Sequence, residues 1–134
     1  RERHETLSQR SRARREHRQR QQAREQREQA RSLLDQYRDS GKLEVLLQLS
    51  ELIQQHRRHL PEQLTAKVEI LSRERFRTAV NEGDARYARG DYREARTIWE
   101  RIKPLAPPDS ELPEKLERVE RVLDKLQNLE RSKN

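Results

Sequence analysis

From Leu33 onward apolar side chains recur every three to four residues, and before Leu33 there are almost none. That single change of pattern divides the chain and sets its fold class. A three-to-four residue period places apolar side chains on one face of an α-helix, whereas strands need strict alternation. Nothing after Leu33 alternates over a useful length, so the expected fold is all-α. Residues 1–31 contain only Leu7, Ala13, Ala23 and Ala30 as apolar residues, which is too few to build a core. The same stretch holds eleven arginines against five glutamates. It therefore carries most of the chain's net charge of +7, and the remaining residues are nearly neutral. We expect two parts: a basic arm over 1–31, either an exposed helix or disordered, and a helical domain over 32–134.

Composition removes several classes of function. The chain has 134 residues, no cysteine and three glycines. Thiolate metal sites, disulfide frameworks and cysteine nucleophiles are excluded, and there is no glycine-rich loop to cradle a phosphate. The longest aliphatic run is Val45-Leu46-Leu47, far short of a membrane span. A chain opening at Arg1 without methionine is expected to be a piece of a longer product. Arginine far outnumbers lysine, as expected of a GC-rich, bacterial genome. The compartment stays open between cytoplasmic and exported with a tether, because lack of cysteine suits both.

Helix punctuation then predicts five elements. A short helix over 28–39 stops before Gly41. A second, over 43–59, carries Leu43, Val45, Leu46, Leu47, Leu49, Leu52 and Ile53 and should be the most buried. Pro61 opens a third, over 61–89, whose inner face is Leu64, Val68, Leu71, Phe76, Ala79, Val80 and Tyr87. Gly83 sits inside that helix, at a cost of about 1 kcal/mol relative to alanine, which implies that another helix passes close to its backbone. Gly90 ends the third helix, and Asp91 caps a fourth over 91–103 that Pro104 stops. Tyr92, Ala95 and Trp99 share a face of the fourth, and with Phe76 the two large rings are expected in the core. A last helix, over 110–129, spaces Leu112, Leu116, Val119, Leu123 and Leu126 in a coiled-coil-like seam, suited to packing on a neighbour or to self-association.

The set Gly83, Gly90-Asp91-Tyr92, Ala95, Trp99 and Pro107 resembles a tetratricopeptide repeat, a helix-turn-helix unit of about 34 residues. The resemblance covers 76–109. A second, weaker echo runs through Leu33, Tyr37, Gly41 and Leu43 to Pro61. Ala79, Glu82 and Arg86 stand where the family usually has an aromatic, a leucine and a tyrosine. The resemblance implies antiparallel helical hairpins with 110–131 as a capping helix. It also implies a concave face for a protein or peptide ligand, lined by Arg77, Val80, Asn81, Asp84 and Tyr87. The lysine and asparagine set with which some members clamp a C-terminal carboxylate is not reproduced.

Chemistry beyond binding finds little support. His56 and His59 are three apart on one helix, but a zinc site needs at least three protein ligands, and Arg57 and Arg58 lie between them. Glu82 and Asp84 point to different sides of a helix, and no nucleophile with its base assembles. We therefore expect neither catalysis nor a cofactor nor a metal. The leading expectation is a protein-binding scaffold with a charged N-terminal tether. As the alternative, Arg12, Arg14, Arg15, Arg18, Arg20 and Arg24 form a basic stripe that grips RNA, DNA or an acidic membrane surface. The arm has no aromatic ring on which a base could stack.

Overall fold

The computed structural model describes residues 2–133, and their side chains from Thr6 to Lys133. These residues form five α-helices, with no strand among them. The helices are α1 (Glu2–Ser40), α2 (Leu43–His56), α3 (Glu62–Ala88), α4 (Tyr92–Ile102) and α5 (Leu112–Lys133). Short 3-10 turns follow α2 at Arg57–His59 and α4 at Lys103–Leu105. The fold class is therefore all-α. The chain divides into two compact units, Arg1–Val68 and Glu69–Asn134.

There is no break at residue 31, because the basic arm and the helix expected over 28–39 are one continuous helix, α1. Arginine, glutamate and glutamine are good helix formers, so the polar segment propagates the helix that the apolar segment anchors.

In the first unit α1 packs on α2. Ala30, Leu33 and Leu34 of α1 are buried with Leu43, Leu46, Leu49, Leu52 and Ile53 of α2, and Leu60, Leu64 and Val68 complete the core. As expected, α2 is the most buried element. The contact face of α1 begins earlier than Leu33, since Ala23, Gln26 and Arg27 are already half-buried and Ala30 is fully buried. Ala23, Arg27, Ala30, Leu34 and Tyr37 step by four, three, four and three, a heptad seam. From Ala23 to Tyr37 the helix rises about 21 Å, the length of the fourteen-residue α2. Continued back by the same steps, the seam positions are Arg20, Glu16 and Ala13, all exposed, so the seam ends where α2 ends. Residues 7–22 are exposed on all sides.

The second unit is built from 69–88 of α3, α4 and α5. The end of α3 is a Schellman motif: Asp91 N–H donates to Arg86 O at 2.9 Å and Gly90 N–H to Tyr87 O at 3.0 Å. That closure requires a left-handed residue, and Gly90 supplies it with φ 86°. Ala95, Trp99 and Ile102 of α4 are buried with Leu105, Leu112 and Val119. Tyr92 and Phe76, expected in the core with Trp99, are only half-buried.

The seam expected along the last helix holds for part of its length. Leu112 and Val119 are buried and Leu116 and Leu123 half-buried, but Leu126 is 43% exposed and Leu129 60%. The physical reason is length, because α4 rises about 16 Å over eleven residues and α5 about 33 Å over twenty-two.

Candidate interaction surfaces

The centre of the second unit is Trp99. Its indole lies over Gly83, so close that a Cβ built at position 83 would fall on Nε1 and 2.7 Å from Cε2. Nε1–H donates to the Val80 carbonyl at 3.4 Å, a long bond that ties the ring to α3. Tyr87 meets the ring of Trp99 with centroids 5.9 Å apart and that of Tyr92 edge-on at 5.0 Å. Arg86 reaches Glu94 at 2.9 Å and Asp91 at 3.8 Å. Tyr87 and Val80 of α3 thus both meet side chains of α4, Tyr87 those of Tyr92 and Trp99 and Val80 that of Trp99.

Lys115 is the side chain that sequence reasoning missed. From the first turn of α5 its Nζ donates to Asp84 Oδ1 at 2.8 Å and stands 5.8 Å from the centroid of the Trp99 ring. That distance permits a cation–π contact. Arg96 and Glu120, 3.2 Å apart, make a second link between α4 and α5. Position alone gave no signal for Lys115, since one lysine among many charges has no distinguishing neighbours in sequence.

These contacts redistribute the five expected groove residues. Val80, Asp84 and Tyr87 are half-buried and engaged with Trp99, Lys115 and Tyr92 of the same unit. Arg77 and Asn81 are exposed and one turn apart. The five are thus not one open face: three serve internal packing and two face solvent.

The arm is a second surface. Arg12, Arg14, Arg15, Arg18, Arg20 and Arg24 are all exposed. At about 100° per residue, Arg14, Arg15 and Arg18 fall within one arc of about 100°, while Arg20 and Arg24 fall on the roughly opposite side. The expected single stripe is therefore a ring of positive charge. None of the six makes an ion pair among the described residues.

The histidines take structural places. His59 Nδ1 is 2.8 Å from Gln26 Oε1, which holds the 3-10 turn against α1. The His56 and His59 rings lie nearly parallel with centroids 6.5 Å apart. His17 is exposed on the arm, and the side chain of His4 lies outside the described residues. Among the described residues no three His, Asp or Glu side chains cluster as a metal site would require, and no helix is long and apolar enough to cross a membrane. Glu82 is exposed while Asp84 is turned to Lys115, so the two carboxylates do not converge. Compared with protein-family models, curated proteins and solved structures, the chain matches none of them.

Proposed function

We propose that this chain is a non-catalytic protein-interaction scaffold, in which the unit 69–134 takes a protein or peptide and the exposed part of α1 serves as a charged tether. The observation that carries the reading is the seating of Trp99 on Gly83. It fits the small-residue place between paired helices that the tetratricopeptide resemblance implies, filled here by the indole, and the Tyr87–Tyr92 and Arg86–Glu94 contacts fit a paired-helix module. On such a module the solvent side of α3 receives the ligand. Arg77 and Asn81 stand there in a row with Arg73, all three exposed and four residues apart. Two guanidinium groups and an amide in a row suit carboxylate-bearing side chains, because arginine binds a carboxylate through paired hydrogen bonds. The ligand class is accordingly an acidic peptide segment.

Peptides selected from a display library on the full chain provide the test. Binding of the selected acidic peptides should fall at least about tenfold in Arg77→Glu, a loss of roughly 1.4 kcal/mol or more. Peptides that bind Arg77→Glu and Asn81→Ala undiminished would reject this placement of the site.

A further inference from the structure

The arm presents an arrangement that neither tethering nor peptide binding uses. Residues 10–24 contain seven arginines (10, 12, 14, 15, 18, 20 and 24) and one glutamate, Glu16. All fifteen lie in α1, and all are exposed except the half-buried Ala23. Around the helix axis no sector wider than about 80° lacks an arginine. The guanidinium groups make no ion pair among the described residues, Glu16 and Arg20 included, although their spacing would allow one.

Charge distributed in this way selects among anionic partners. A membrane surface is flat and meets one side of a helix. Helices that bind there carry their cations on one face and apolar residues on the other. Here the exposed apolar residues before Ala23 are Leu7 and Ala13, about 120° apart, so there is no face to insert. Single-stranded nucleic acid is held by aromatic rings on which bases stack, and the arm has none. The major groove of B-form DNA differs from both: it is about 12 Å wide, admits one helix of about 10–12 Å, and lines it with phosphates on two sides. The A-form groove of duplex RNA is deep and narrow and excludes such a helix.

We propose that residues 10–24 bind double-stranded DNA by lying in its major groove, with Arg14, Arg15 and Arg18 on the phosphates of one wall and Arg20 and Arg24 on those of the other. Glutamine and serine between the arginines have side chains able to reach base edges, but the contact is mainly electrostatic and weakly selective for sequence. This inference concerns the first unit alone and stands whether or not 69–134 takes a peptide.

Fluorescence anisotropy of the full chain with a labelled duplex of about 20 base pairs, at several salt concentrations, tests it. Two variants test the two walls: Arg14→Gln/Arg15→Gln/Arg18→Gln and Arg20→Gln/Arg24→Gln. Glutamine keeps helix propensity, and circular dichroism verifies that helix content is retained. The expected result is binding whose logarithm falls linearly with the logarithm of salt, with the slope reduced by about 0.9 for each phosphate-contacting arginine removed. Each variant should bind at least about tenfold more weakly. Loss in only one of the two variants would overturn the groove. So would equal or tighter binding of duplex RNA, single-stranded DNA, vesicles containing phosphatidylserine, or polyglutamate, or no association with duplex DNA at the lowest salt.

Discussion

The indole of Trp99 occupies the space that any side chain at position 83 would need. Gly83 is therefore a condition of the packing between α3 and α4. The glycine costs helix stability locally, and the burial of Trp99, 2% exposed, offsets it. Burial of a large aromatic side chain is worth about 1.5–3 kcal/mol, more than the roughly 1 kcal/mol that a helical glycine costs.

Gly83→Ala should accordingly destabilise the second unit by about 1–3 kcal/mol, against the direction of helix propensity. Thermal unfolding followed by tryptophan fluorescence reads this directly, since the probe is the displaced ring. A variant as stable as the parent would show that the indole moves aside at no cost.

The Asp84–Lys115 pair is partly exposed, with side chains 42% and 22% accessible. A double-mutant cycle with Asp84→Ala and Lys115→Ala should give a coupling below about 1 kcal/mol that shrinks with added salt. Lys115→Ala should cost more than Asp84→Ala, because it also removes the cation over Trp99.

Burial falls along α5, and substitutions should follow it. Val119, fully buried, should lose about 2 kcal/mol on change to alanine. The same change at Leu129 should stay within about 0.5 kcal/mol. Urea unfolding of the two variants makes the comparison, and equal costs would mean that the end of α5 is covered in solution.

Removing residues 1–22 should leave the unfolding midpoint of the remaining chain unchanged, since residues 7–22 are exposed and none of them belongs to the core. Far-ultraviolet circular dichroism should lose the helical signal of about twenty residues. In the intact chain, amide exchange should be fast before Ala23 and slow from Ala30 onward, because the arm's hydrogen bonds open without disturbing any packing.

Much of this architecture was legible in the residues. The leucines of α2 foretold its burial, Gly41 and Gly90 the ends of α1 and α3, and Gly83 the close approach that Trp99 makes. The true start of the α1 seam was not legible. Ala23 and Ala30 are weak apolar signals among strong charges, and their seven-residue spacing gains meaning only once α2 lies alongside. The candidate groove was readable as a helix face but not in its occupancy. Val80, Asp84 and Tyr87 share that face by spacing, and what engages them comes from α4 and α5, whose placement no spacing within α3 records.

The equal length of α2 and of the α1 stretch from Ala23 to Tyr37 has an evolutionary consequence. The buried and half-buried positions of that span lie on one face against α2, and an insertion there would turn the face away from its mate. Over residues 7–22, all exposed, no such audit exists. Whole turns can be gained or lost and charges exchanged without penalty to folding, so the arm's length and its arginines are free to be shaped by whatever the arm meets.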